Sequence, residues 1–395
     1  MKSCIYAGSF DCFHNGHANI VNRALKAFDH VYILVANNPN KKYLFNIDER
    51  INIIHKMFTN NDSVSVHILP DTSLVSDFAR EHGITSVLKG IRNIQDTEYE
   101  KMLHEVTVSQ ENGIDTFVLF SDPKDQKISS SAVKELIKYN ADVRDYVPLY
   151  TKQMLEIRQN KQYIVGLTGG IGCGKSYIAN LLSKFGVSSG VPVTNVDFDV
   201  ISNEITYSDK YSWQNNHEVM ELRSTVQKML MGNDADQFPS IVKSRLAERV
   251  FNDPKFNATL LELYKPVMIR EMRKKIAGKS GLILLNGALL VDGDMTYLCN
   301  NNVIIVDSSK ETVLARLKSR GYSPEESVKR INSQMSNDAR KAFMILAMVK
   351  DNNGALHVIN NDVGDPVHDS PTDEAKSIEL NEKLKDSFLF KSIFV

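Results

Sequence analysis

In the first half of the chain, short apolar runs alternate with segments whose apolar positions recur at helical spacing. Ile5 to Ala7, Val31 to Ala36, Val64 to Ile68, Ser86 to Leu88 and Phe117 to Phe120 read as strands, and Ile20 to Phe28, Ile47 to Phe58, Leu74 to His82 and Glu98 to Glu111 as helices. Such alternation predicts an α/β fold, a mostly parallel sheet with helices on both faces and ligands bound beyond the carboxyl ends of its strands. The second half starts the same rhythm afresh. Tyr163 to Leu167 reads as a strand and Lys175 to Phe185 as a helix. A strand ending near Asp197, a long helical region and the apolar runs Leu282 to Leu285 and Val303 to Val306 follow. Between the halves, Pro148 to Gln162 is polar, with a weak helical pattern in Met154, Leu155 and Ile157, and reads as a linker beginning near 148. The expected domains are therefore 1–160 and 161–361. The run Asp365-Pro366-Val367-His368-Asp369-Ser370-Pro371 breaks regular structure and predicts a flexible tail over 362–395.

Length agrees with this division, since 395 residues exceed what one hydrophobic core usually supports. Charge removes some functions: a net charge of -1 and a pI near 6.8 give no global positive field to attract nucleic acid or an anionic membrane surface. Small molecules are the expected partners. Cys4, Cys12, Cys173 and Cys299 lack the spacing of a zinc site or a disulfide framework, so a reducing, cytoplasmic setting is expected. No stretch approaches the ~18 consecutive apolar residues of a membrane span.

Candidate chemistry concentrates behind two of the strands. Behind the first lies Gly8-Ser9-Phe10-Asp11-Cys12-Phe13-His14-Asn15-Gly16-His17. Gly8 allows a sharp turn, Gly16 a close approach at a helix start whose free N–H groups favour phosphate, and His14 and His17 project to one side of a helical turn. Two imidazoles so placed suit a polyphosphate; no acidic or cysteine ligand set nearby supports a metal pair. The segment resembles the HxGH signature of the nucleotidyltransferase superfamily. Asn40-Lys41-Lys42 with Phe45 and Asp48-Glu49-Arg50, Val87 to Asn93 with Glu98-Tyr99-Glu100, and Ile128 to Leu136 extend the likeness. Over 2–148 the chain is similar to bacterial-type phosphopantetheine adenylyltransferases.

That resemblance implies a Rossmann-like domain in which the phosphate of 4′-phosphopantetheine attacks the α-phosphorus of ATP. His17 would stabilise the transition state. Ser9, Phe10, His14, Arg92, Glu100, Ser129 and Ser130 would bind nucleotide, with Ser9, Lys41 and Lys89 on the acceptor. It also leaves room for a homo-oligomer formed through this domain. Four residues depart from the family pattern: Ala7 and Cys12 stand for usual prolines, Ser9 for a usual threonine, and Lys89 for a usual arginine, keeping charge but losing the bidentate fork.

Gly169-Gly170-Ile171-Gly172-Cys173-Gly174-Lys175-Ser176 satisfies G-x-x-x-x-G-K-S between a predicted strand and helix. Backbone N–H groups of such a loop cradle phosphates, the lysine reaches the β and γ oxygens, and the serine coordinates Mg²⁺. No guanine-reading segment follows. Asp197-Phe198-Asp199 is expected to end the next strand with both carboxylates on one side, one ordering Mg²⁺ and the other accepting a hydroxyl proton. Ile164 to Asp199 resembles dephospho-CoA kinases, which are P-loop kinases. The resemblance implies Asp199 as general base, Ser176 and Asp197 at the metal, and Asp197 also at the acceptor. Gly170, Gly172, Cys173, Gly174, Lys175, Ser176, Tyr177, Arg316 and Arg340 would hold nucleotide, the arginines neutralising transferred charge from a lid together with Arg320. Cys173, beside Lys175 and a helix start, reads either as a reactive thiol or as a small residue chosen for fit.

Together the resemblances imply ATP and Mg²⁺ chemistry that converts 4′-phosphopantetheine to dephospho-CoA and then to CoA. Two other readings stay open here: another HxGH transferase joined to an unrelated kinase, or a second half that binds nucleotide without transfer.

Overall fold

The structure is a computed structural model and describes residues 2–38, 41–109, 114–188, 190–209, 213, 216–232 and 243–362. The expected tail therefore lies outside the described residues, except at Asp362. The chain forms two compact units that divide between Asn160 and Lys161.

In the first unit, β1 (Ser3–Gly8), β2 (His30–Ala36), β3 (Val64–Leu69), β4 (Ser86–Ile91) and β5 (Asp115–Phe120) form one sheet in the order β3-β2-β1-β4-β5. Every described pairing is parallel, with Tyr6 opposite Ile33 on one side and Leu88 on the other. Ile5, Ile33, Leu34 and Val35 are fully buried, as expected of strands covered on both faces. The strand order reverses at β1, so a cleft opens beyond the carboxyl ends of β1 and β4. Helices α1 (Asn15–Ala24), α2 (Ile47–Met57), α3 (Val75–Glu81), α4 (Ile94–Ser109) and α5 (Ser130–Lys138) make the connections. α1 begins five residues before the apolar pattern suggests, because His14 caps it.

Pro148 to Gln162 is not an extended linker. It forms α6 (Leu149–Leu155), continued by a π-helical turn at Glu156–Asn160, and both dock on the first unit. Lys152 and Glu156 pair at 2.6 Å with both side chains buried, and the Asn160 amide donates to the Ile137 carbonyl at 2.7 Å. The polar residues that suggest a linker are thus internal partners.

The second unit carries β6 (Gln162–Thr168), β7 (Val193–Asp197), β8 (Gly281–Asn286), β9 (Asn302–Asp307) and β10 (Ala355–Asn360) in the parallel order β10-β9-β6-β8-β7. β6 is central and leads into helix α7 (Lys175–Ser188) through the glycine loop. β10 is unforeseen in the sequence, where its half-exposed, alternating edge residues give no continuous apolar run. The strand at Val193 stops at Asp197, whose side chain accepts from the N–H groups of Asp199 and Val200 and starts α8 (Phe198–Tyr207). Contrary to the expectation from sequence, Asp197 and Asp199 therefore do not lie on one extended strand. Aspartate is a strong N-cap, and the cap prevails.

Candidate active sites

Beyond β1 and β4 lies a cavity of about 650 Å³. Ser9, His14, His17, Lys41, Arg92, Ser129 and Ser130 line it, so seven of the predicted residues meet at one place. The histidine pair shows how the sequence builds it. His14 is extended and N-caps α1; its Nδ1 accepts from the His17 N–H at 3.3 Å, while His17 Nδ1 accepts from the His14 N–H at 3.3 Å. The rings stack with centroids 3.6 Å apart. A Cβ on Gly16 would sit 3.1 Å from the His14 ring, so the glycine clears the space in which that ring lies.

This reciprocal cap sets the protonation chemistry. Each Nδ1 accepts a hydrogen bond and is proton-free, so each neutral ring carries its proton on Nε2 and can donate there. Burial first, and the Arg92 charge second, lower the His14 pKa to about 4. Burial, then His14 and Arg92, push His17 well below the ordinary histidine value. Both rings are thus neutral donors near pH 7. Phe10 does not line the cavity; it is buried among Tyr6 and Phe13 and meets the His17 ring edge-on at 5.1 Å, fixing the imidazole from behind.

Opposite the histidines, Ser129 caps α5 by accepting from the Ala132 N–H at 3.1 Å, and Ser130 donates to the Cys12 carbonyl at 2.8 Å. Arg92 is braced by Asp96 at 3.1 Å and by the Ile128 carbonyl at 3.3 Å. Sequence reasoning gave no role to Asp11 or Lys134. The buried Asp11 carboxylate accepts from the N–H groups of Leu44 and Phe45 and from Lys134 Nζ at 2.8 Å, joining three walls of the cavity. Lys134 lies within the matching segment from Ile128 to Leu136, which was the available signal.

Lys89 and Glu100 are placed elsewhere. They pair at 2.7 Å on a neighbouring cavity of about 250 Å³ walled by Leu74, Val75, Val87, Leu103 and Ile114. Strand alternation explains the split: Tyr6 and Gly90 face the first cavity, Ala7 and Lys89 the second.

In the second unit the glycine loop borders a cavity of about 540 Å³. Gly172 and Gly174 have φ of 76° and 94°, conformations that favour glycine, and a Cβ on Gly169 would meet the Val306 carbonyl oxygen at 2.3 Å. Gly172, Gly174, Lys175, Ser176, Tyr177, Asp197, Asp199, Arg316 and Arg320 line this cavity. Lys175 Nζ donates to the carbonyls of Gly169 and Gly170 at 3.1 and 3.2 Å, which is Gly170's part in the site. Asp199 is reachable by solvent, yet the surrounding protein raises its pKa, with Lys175 opposing and Asp197 adding to the rise.

Two expectations change here. Cys173 is 2% exposed and packs with Leu167, Ile178 and Val306 behind the loop, so the fit reading replaces the reactive thiol. Only its backbone faces the site's partners: its carbonyl accepts from Asn361 and Ser308. Arg340 is 1% exposed and donates to both oxygens of Asp292 at 2.8 Å, off the cavity wall rather than on an open lid. Arg316 does reach the cavity but also donates to the carbonyls of Gly172 and Asn361, bracing the loop.

Each sheet thus carries its own phosphate-handling site, and the fold and sites define a nucleotidyltransferase followed by a P-loop kinase. Residues 5–136 match the cytidylyltransferase-like family and residues 163–357 the dephospho-CoA kinase family. The phosphopantetheine adenylyltransferase of Frankia alni is 39% identical over 159 residues, covering 40% of this chain and 98% of that protein. The enzyme of the same name from Streptococcus uberis is 40% identical over 155 residues, covering 39% and 93%. That from Psychromonas ingrahamii is 34% identical over 161 residues, covering 41% and 99%. The chain belongs to the phosphopantetheine adenylyltransferase family through its N-terminal part, and that domain is fused to a dephospho-CoA kinase domain.

Proposed function

We propose that this chain catalyses two consecutive reactions. The first transfers adenylyl from ATP to 4′-phosphopantetheine, giving dephospho-CoA and pyrophosphate; the second transfers the γ-phosphoryl of ATP to the ribose 3′-hydroxyl of dephospho-CoA, giving CoA and ADP. The observation that carries this reading is the presence of two phosphate cavities, each beyond the central strand of its own sheet, in domains that match consecutive enzymes.

In the first reaction an acceptor phosphate oxygen attacks the α-phosphorus and pyrophosphate leaves, so the protein acts by positioning and by charge stabilisation. Lys41 and Ser9 hold the acceptor phosphate, with Lys89 reaching it from the mouth of the neighbouring cavity. Nε2–H of His17 donates to the α-phosphoryl oxygens as negative charge grows, His14 supports it, and Arg92 with Ser129 and Ser130 holds the nucleotide phosphates. The apolar cavity beside Lys89 suits the uncharged pantetheine arm.

In the second reaction Lys175 leaves the loop carbonyls for the β and γ oxygens, and the loop N–H groups take the phosphate. Asp199 accepts the 3′-hydroxyl proton; its raised pKa makes it a better base than an ordinary aspartate. Ser176 and Asp197 supply hard oxygen donors on one wall, and Asp197 Oδ2 is not engaged in the cap. Among the described residues no cluster of three or more His, Cys, Asp or Glu could hold a metal, which fits Mg²⁺ that takes its other ligands from phosphate and water. Ser176 and Asp197 would hold such an ion, which would supply positive charge to offset the negative charge of the transferring phosphate. We place the enzyme in the cytosol: its four cysteines are buried and form no disulfide, and among the described residues no helix is long and apolar enough to cross a membrane.

Mass spectrometry of the products formed from 4′-phosphopantetheine, ATP and Mg²⁺ tests the reading. Dephospho-CoA followed by CoA is expected. An unconsumed acceptor overturns the first assignment, and accumulation of dephospho-CoA with ATP in excess overturns the second.

A further inference from the structure

The Lys89–Glu100 pair lines the cavity of about 250 Å³ in the first unit. Lys89 follows Leu88, the partner of Tyr6 in the β1–β4 ladder, and precedes Gly90, which lines the phosphate cavity. Its own side chain turns to the opposite face, where Nζ meets Glu100 at 2.7 Å with each side chain about one fifth exposed. Among the described residues the other polar groups on that cavity are Ser76 and the His104–Thr116 pair, bonded at 2.9 Å, and no second carboxylate lines it. The Glu100 charge is also felt at the buried Tyr6 hydroxyl of the phosphate cavity, whose pKa rises mainly through burial.

A lysine here has a consequence that an arginine would not. A guanidinium presents a fork that can hold a carboxylate and a phosphate at once, whereas an ammonium is a compact point charge. From the pairing and the residue type we infer that Glu100 is a counter-charge latch on Lys89, which an incoming acceptor opens only by offering a phosphate dianion that outcompetes the carboxylate. Glu100 is thus a positioning residue, and it tunes the selectivity of the acceptor site for phosphorylated over unphosphorylated ligands. The inference rests on the proposed role of Lys89 in holding the acceptor.

Removing the charge of Glu100 leaves Lys89 free before the acceptor arrives. Glu100→Gln should lower KM for 4′-phosphopantetheine about fivefold, the order that a partly exposed ion pair supplies, with kcat little changed. Pantetheine, which lacks the phosphate, should inhibit the variant and the native enzyme with the same Ki. Lys89→Arg should lower the KM similarly, and adding Glu100→Gln to Lys89→Arg should bring little more. An unchanged or raised KM in Glu100→Gln overturns the latch, as does an equal change in the pantetheine Ki, which would show that the cavity had merely been reshaped. Native protein that forms no dephospho-CoA refutes the acceptor reading itself. Native turnover without the KM decrease refutes the latch alone.

Discussion

The two sites face the same ligand group with different parts of the chain. In the first unit the donors are side chains: imidazoles locked by a reciprocal helix cap, serines at the start of α5, and Lys134 held in place by Asp11. In the second unit the backbone of the glycine loop forms the cradle, and the side chains around it largely brace that backbone, as Arg316, Asn361 and Ser308 do. The difference teaches where each site is vulnerable. A site of buried neutral imidazoles depends on desolvation and proton state, whereas a backbone cradle depends on φ angles that glycine alone adopts easily.

The largest effects should separate the two units. His17→Ala should slow adenylyl transfer about 10³-fold, the scale of losing a transition-state donor, and leave dephospho-CoA phosphorylation unchanged; Lys175→Ala should do the opposite. Steady-state assays of each half-reaction check this, and loss of both activities in a folded variant would break the comparison. Next, Asp199→Asn should lower the kinase kcat about 10²-fold while ATP affinity, measured by calorimetry, stays within a few-fold. An unchanged kcat at saturating substrates would move the base elsewhere.

Acid should distinguish the units more gently. His14 titrates near 4 in the folded state and near 6.5 unfolded, so between these values the unfolded chain binds more protons. The stability from keeping His14 neutral is therefore present above about pH 6.5 and is lost as pH falls toward 4, on the order of 3 kcal/mol in all. Denaturant melts of the native protein and His14→Gln across that range should converge as the pH drops. Between pH 6 and 8 neither imidazole changes charge, and the adenylyl transfer rate should show no limb from either one; a limb near 6.5 that His14→Gln removes would contradict the buried, neutral pair.

Much of this was legible in the sequence for a physical reason. Central strands covered on both faces must be apolar throughout, and β1, β2, β6, β8 and β9 show it. Glycines with a lysine-serine pair, or with paired histidines, mark loops whose backbone geometry is demanding. What escaped depends on partners distant in sequence. Edge strand β10 needs only half its residues buried, so its pattern is weak. Asp11 and Lys134 meet across 123 positions, and the Arg340–Asp292 pair across 48. Cys173 has the motif position of a reactive thiol, but its side chain's direction is set by the turn of the loop into α7. Spacing could group the histidines, yet only the reciprocal cap assigns their proton to Nε2.

The central claim, two self-sufficient sites on one chain, is tested most directly by complementation in trans. His17→Ala alone should form product from 4′-phosphopantetheine about 10³-fold more slowly than the native chain, Lys175→Ala alone should stop at dephospho-CoA, and an equimolar mixture of the two should release CoA with ATP and Mg²⁺ present. A mixture of folded variants that still stops at dephospho-CoA, while the native chain makes CoA, would contradict the account.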